Sequence, residues 1–191
     1  MKKLVTVLAV FAVLSTLFFT GCSGIDETTA RQIAREEATN AIEDFTASFT
    51  PEKFGFGVSW EKQFSYAQGV KTGNLIFVAG QLAHGQTVDA EGNPTEYFMG
   101  DFAEQYRATL ENIKAVLANY GATMDDVVFL QNFVVPKTKT GNEACDYNPI
   151  AAALVTEYFP NGLHAMTFAE IVGLYGPDQL VESNAIAVVG Q

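Results

Sequence analysis

The tightest constraint on the fold comes from two apolar runs near the C-terminus, each interrupted by a single carboxylate. Met166-Thr167-Phe168-Ala169-Glu170-Ile171-Val172 carries Glu170, and Leu180 to Val188 carries Glu182. An unpaired carboxylate inside an apolar strand is costly, so a chain that keeps one there must expose it, pair it or use it. Tyr175-Gly176-Pro177-Asp178 lies between the two runs and reads as a turn, so His164 to Val189 is expected to form a closing hairpin.

The remaining chain supplies a scaffold for those strands. Phe64–Val70 and Asn74–Gln81 read as a hairpin about Lys71-Thr72-Gly73-Asn74. His84–Thr95, with Gly85, Gly92 and Pro94, reads as an exposed loop. In Asp101–Tyr120 the apolar residues Phe102, Tyr106, Leu110, Ile113, Val116 and Leu117 recur at helical spacing, and Gly121 follows as a stop. Val127–Val135 is a β-branched and aromatic strand ended by Pro136, and Pro149–Phe159 is a second helix with proline in its first turn. The order β-β-α-β-α-β-β specifies an α/β domain, a mixed sheet with two helices on one face. Its other face is apolar and is expected to be buried between subunits.

The N-terminus has a different character. Lys2-Lys3, an apolar core from Leu4 to Phe19 and then small residues make an export signal, shorter than the about 20 residues of a membrane span. Phe19-Thr20-Gly21-Cys22 resembles a bacterial lipobox, with phenylalanine at the usual leucine position. The resemblance implies a signal peptide over residues 1–21 and lipid on Cys22, hence a location on the cell envelope outside the cytoplasm. With Ser23 after the cysteine, the outer membrane is expected if the cell has two membranes. Residues 22–57 are then a lipid-anchored helical stalk or linker, and 58–191 the domain. Asp26–Phe45 has helical periodicity and would span roughly 30 Å; a stalk and a helix packed on its own domain both fit.

Charge and cysteine content narrow the function. The formal charge is −11 over 191 residues, and removing Lys2 and Lys3 makes it two units more negative, which disfavours nucleic acid and anionic lipid as partners. With Cys22 acylated, Cys145 is the one remaining thiol. No base or cation stands beside Cys145 in sequence to activate it, so it reads as an ordinary loop residue. His84 and His164 are the only histidines, too few for metal-ligand spacing, and no metal or other cofactor is expected.

Several ordered motifs together resemble the RidA (YjgF-type) family of reactive enamine/imine deaminases over about residues 60–189. These are Phe64–Val70 followed by Gly73–Gln81, Gln105–Leu117, Met124–Val128 and Glu182–Val188. The resemblance implies a chorismate-mutase-like (RidA) fold, a homotrimer with small-molecule clefts between subunits, no cofactor, and hydrolysis of a small enamine or imine with release of ammonia. Residue by residue it places Glu182 at the water-handling glutamate, Tyr66 at the aromatic pocket position, Gly80 at a backbone contact and Phe168 where a backbone N–H faces the ligand. The arginine that grips a substrate carboxylate falls on Met166 when one extra residue is allowed in the turn around Gly176, and on Thr167 otherwise; a thioether at Met166 can neither pair with a carboxylate nor donate a hydrogen bond. A family asparagine at the start of the second helix falls on Ala152. Tyr66 and Phe168 also fit plain packing roles, and Gly80 fits a role in strand curvature. No ligand role follows for Glu170.

Overall fold

The computed structural model describes residues 26–47, 49–136, 147–162, 164–176 and 178–190. Cys22, Cys145 and residues 1–21 lie outside the described residues. The chain divides into two compact units, Met1–Thr50 and Pro51–Gln191. In the first, helix α1 runs over Glu27–Ala47, close to its expected bounds. It starts where Asp26 accepts hydrogen bonds from the backbone N–H groups of Thr28 and Thr29 at 2.9 and 3.0 Å. Those bonds satisfy amide groups that the first helical turn leaves without intrahelical partners.

The second unit is a six-stranded sheet with helices. Its elements are β1 (Glu52–Phe54), a short helix α2 (Ser59–Phe64), β2 (Gly69–Thr72), β3 (Leu75–Gln81), α3 (Phe102–Asn119), β4 (Val127–Val134), α4 (Asn148–Tyr158), β5 (Ala165–Glu170) and β6 (Val181–Val188). The strand order is β1-β2-β3-β6-β4-β5. Every pair is antiparallel except β4 with β5, which α4 connects as a crossover.

The expected closing hairpin does not form. β4 lies between β5 and β6, parallel to one and antiparallel to the other. β6 already has a hydrogen-bonded partner on each edge, so β5 takes the free edge of β4. The segment between β5 and β6 crosses the end of β4, tied there by Ile171 N–H to Val134 O at 2.8 Å and Val135 N–H to Leu180 O at 2.9 Å. Gln105 on α3 holds the same crossing from below: its amide donates to Asp178 O at 3.0 Å and accepts from Leu180 N–H at 2.9 Å. Gly173 and Gly176 fall in this crossing segment. Adjacency in sequence, which a hairpin reading assumes, was overruled by edge saturation in the sheet.

Two other expectations need correction. Phe64 ends α2, with Ser65 in the left-handed conformation at φ 54°, so the first long strand begins only at Gly69. Residues expected to be linker contain β1, a three-residue edge strand. Tyr120 secures it: its hydroxyl lies 3.1 Å from Glu52 O on β1 and 2.8 Å from Gly69 O on β2. The β2–β3 hairpin forms as expected, around Gly73-Asn74 with Gly73 at φ 59°. A glycine with positive φ at the first central position matches the strand twist in a two-residue hairpin loop.

The core lies on one side of the sheet. α3 buries Phe102, Tyr106, Leu110, Ile113, Val116 and Leu117 against Ile76 and Val78 of β3, Leu130 and Val134 of β4, and Val181, Ala185 and Ala187 of β6. α4 adds Ala151 and Leu154 to the same cluster. A helical period of 3.6 meets a strand period of two on one surface, as the sequence pattern requires. The opposite face stays apolar and open, with Leu75, Phe77 and Val128 each more than a third exposed.

Candidate functional site

On the open face, Glu182 of β6 stands opposite Phe133 of β4, and its neighbour Ser183 pairs with Gln81 of β3. The register slips between Val78 and Gln81, taking Ala79 and Gly80 out of the regular ladder. Gly80 has no side chain to fill the space left, and the Glu182 carboxyl group fills it: a Cβ at Gly80 would overlap Oε1. Burial raises the Glu182 carboxyl above the ordinary carboxylate range. Tyr66 lies close enough to feel that charge; burial first, and the negative charges of Glu61 and Glu182 after it, raise its phenol. The Tyr66 hydroxyl accepts from Gln68 Nε2 at 3.3 Å, and Gln68 Oε1 accepts from Gln81 Nε2 at 2.7 Å. Tyr66, Gly80 and Glu182 therefore belong to one constellation, held by a buried glutamine pair.

Met166 and Phe168 belong to another. β5 pairs with β4 so that Met166 lies beside Leu130 and Phe168 beside Asn132, both buried on the helix side. Residues two apart share a strand face, so Met166, Phe168 and Glu170 line up together. With Ala151, Ala152 and Val155 of α4 they wall an open cavity of about 640 Å³. Glu170, for which the sequence offers no ligand role, thus lines the same cavity, as the period of two counted from Met166 requires. Ala152 lines the same cavity.

One chain does not bring the five candidate ligand residues together. Met166 pairs across β4 with Ala185, while Glu182 pairs with Phe133 and Ala169, so the two sets leave opposite faces of the sheet. A buried network joins the strands between them. Asn132 Oδ1 accepts from Tyr106 Oη at 2.9 Å and from Ser183 Oγ at 2.7 Å, and Asn132 Nδ2 donates to Thr167 O at 3.3 Å. Ser183 is next to Glu182, and Thr167 lies between Met166 and Phe168. Nothing in the hydropathy pattern marks this network, because Asn132 and Ser183 sit where the alternation calls for apolar side chains.

The remaining candidates fall elsewhere. His84, expected in an exposed loop, is buried edge-on to Phe56 and Trp60, with Nδ1 2.8 Å from Gly85 O. Burial lowers its pKa, which favours the neutral ring. His164 packs 4.2 Å from the Phe159 ring, and burial lowers its pKa too. Arg107 pairs through both terminal nitrogens with Glu157, one contact at 2.9 Å, and so ties α3 to α4.

Comparison with known proteins agrees with this architecture. The family model described as Endoribonuclease L-PSP matches residues 59–189. A RutC family protein of Pyrococcus abyssi is 36% identical over 122 residues, covering 64% of this chain and 84% of that protein. The 3-aminoacrylate deaminase RutC of Acinetobacter baylyi is 32% identical over 124 residues, covering 65% of this chain and 86% of its own. Among solved structures, a YjgF/YER057c/UK114 family member from Mycobacterium tuberculosis superimposes with a TM-score of 0.59 at 24% identity, over 73% of this chain and all of that one. Escherichia coli TdcF, solved with bound serine, gives a TM-score of 0.52 at 22% identity, over 65% of this chain and 88% of its own. These two likenesses are of fold. From the strand order to the matched residues, the chain belongs to the endoribonuclease L-PSP family, the group of RidA, YjgF and RutC proteins.

Proposed function

We propose that this protein is a homotrimer whose small-molecule clefts form between subunits, and that it hydrolyses an enamine or imine lacking the usual carboxylate. The observation that carries this reading is the division of the site: Tyr66, Gly80 and Glu182 stand on one face, and the cavity of Met166 and Phe168 on the other. A second copy placed against the open apolar face would supply the missing half to each. In the ionised form, Glu182 takes a proton from water as the oxygen adds to the imine carbon. Glu182 passes that proton to the nitrogen, the C–N bond breaks as the carbinol O–H gives up the second proton, and ammonia leaves a carbonyl with Glu182 ionised again. An enamine enters this sequence as its imine tautomer. The 32% identity to a protein named 3-aminoacrylate deaminase supports the reaction class. The charge of −11 makes a small molecule a better fit than the phosphate backbone of a nucleic acid.

Met166 in place of an arginine favours a second reading, a noncatalytic trimer that binds a neutral small molecule or serves as a scaffold. In either reading the protein is held on the cell envelope, outside the cytoplasm, by lipid on Cys22, as the sequence Phe19–Cys22 supports. In a cell with two membranes it lies on the outer one.

Ammonia release from freshly generated 2-aminoacrylate, measured with the full chain, tests the enzymatic reading. Turnover that Glu182→Gln abolishes supports hydrolysis. Inactivity relieved by Met166→Arg shows an intact hydrolytic site with a different native substrate, and inactivity in both favours the noncatalytic reading. Sedimentation as a monomer would sink the cleft between subunits in all its forms.

A further inference from the structure

Gln68, just before β2, and Gln81, at the end of β3, are both fully buried, and their side-chain amides meet. An amide can turn end for end with little change in shape, so its polarity has to be set by a partner with only one role. Ala79 O is such a partner. As a backbone carbonyl it only accepts, and it lies 3.1 Å from the Gln81 amide, which makes the atom facing it Nε2. The same nitrogen donates its other hydrogen to Gln68 at 2.7 Å, so the Gln68 atom there is Oε1. Gln68 then turns Nε2 toward Tyr66, whose oxygen accepts at 3.3 Å. Gln81 Oε1 is buried with no partner among the described residues. A bare buried acceptor is costly and an apolar side chain would avoid it, so what Gln81 contributes is its pair of donors. A phenol has two lone pairs and one hydrogen to offer. Gln68 takes one lone pair, and the Trp60 side chain, whose indole has only a donor, hydrogen-bonds the same oxygen. Among the described residues no acceptor faces the Tyr66 O–H. Burial raises the phenol, which keeps that proton in place.

We infer that Gln81 is a positioning residue: in the cleft proposed above, on which this inference rests, it acts through Gln68 to hold the Tyr66 hydroxyl as a hydrogen-bond donor to the ligand. The ligand then presents a lone pair to Tyr66, as the nitrogen of a neutral imine or the oxygen of a carbonyl does. A protonated nitrogen is disfavoured at that point, because it has no lone pair to offer and the Tyr66 oxygen has none left to receive it. The direction of the chain of bonds, from a backbone carbonyl through two buried amides to a phenol, thus sets which ligand groups fit.

Butanone carrying carbon-13 at its carbonyl, titrated into the full chain and followed by NMR, reads both affinity and the hydrogen bond to its oxygen. Tyr66→Phe is expected to raise the Kd about five-fold, the worth of one neutral hydrogen bond, and to move the bound carbonyl resonance upfield. Gln68→Glu keeps the size of the side chain, but as a carboxylate at about pH 8 it accepts from Tyr66 and turns the O–H inward. The same loss of affinity and the same upfield move are expected. Gln81→Met removes both donors and frees Gln68 to reverse, with a smaller change in the same direction. In a Tyr66→Phe background neither substitution is expected to change affinity or resonance further, because both act through the hydroxyl. Either glutamine variant binding butanone as the parent protein does would overturn the inference, as would a loss that persists in Tyr66→Phe, since that is an effect of packing. Two separate substitutions keep the test open should one of them not fold. If Tyr66→Phe itself binds as the parent does, the inference fails and the small-molecule cleft stands. If butanone does not bind at millimolar concentration, both fail.

Discussion

The Glu182 carboxyl group on β6 occupies the space that a side chain at Gly80 on β3 would need: a Cβ there would overlap Oε1 and lie 2.9 Å from the carboxyl carbon. The group it would strike is the end of a flexible side chain, so the backbone need not move. Gly80→Ala is therefore expected to cost less than about 1 kcal/mol of stability by urea denaturation while displacing the carboxylate. Any turnover that depends on Glu182 should fall by at least about ten-fold, since displacing a catalytic group by an ångström has such effects. A fully active Gly80→Ala would show that Glu182 does not act from this position.

The burial of Glu182 also makes a prediction about pH. Its folded-state pKa is raised above the ordinary 4.5, so the folded protein holds this proton more tightly than the unfolded chain. The carboxyl group's favourable contribution is complete below the unfolded value and is lost as pH rises through the raised folded value. Glu182→Gln cannot ionise. It is expected to match the parent protein in stability near about pH 4 and to exceed it at about pH 8, by denaturant titration at each pH. Equal stability at both would mean that the carboxylate is fully compensated in the fold.

Asn132 is the hinge of the buried network, with three partners on α3, β6 and β5. Asn132→Ala leaves the Tyr106 and Ser183 hydroxyls without their acceptor and opens a cavity, at a cost of about 3 kcal/mol. Tyr106→Phe removes one donor and leaves the acceptor served by Ser183, costing about 1 kcal/mol. Equal losses for the two variants would contradict the network as described.

At the far edge, Gly69 of β2 allows Val116 and Tyr120 of α3 to approach the strand: a Cβ would lie 2.5 Å from Val116 Cγ1 and 3.0 Å from the Tyr120 ring. Neither neighbour is a loose side-chain end. Gly69→Ala is expected to cost about 1–3 kcal/mol through overpacking. Tyr120→Phe, which frees the carbonyls of Glu52 and Gly69, should cost about 1 kcal/mol and raise amide exchange in β1 first. Uniform exchange across β1 and β3 in that variant would show that the hydroxyl does not secure the edge.

Much of the architecture was legible because periodicity is a local property. The helix from Phe102, the strand from Val127 and the second helix with Pro149 in its first turn all fall within a residue or two of expectation. Each is specified by side chains a few positions apart that share a face. The strand at Glu52–Phe54 was not legible, because three polar and aromatic residues on an edge carry no period; pairing with β2, braced by Tyr120 far along the chain, makes them a strand. His84 likewise sits among turn formers, and its burial depends on Phe56 and Trp60 closing over it.

The two interrupted apolar runs show where sequence stops and tertiary structure takes over. From sequence alone, both runs are strands with Glu182 and Glu170 inside them, and the family and fold follow. Sequence could not decide that β4 comes between them, because strand pairing depends on which sheet edge is still free, not on distance along the chain. That insertion sets Glu182 on one face and Glu170, with Met166 and Phe168, on the other. Two carboxylates that look equivalent in sequence thereby acquire different surroundings, one buried against a glycine and one exposed at an apolar cavity.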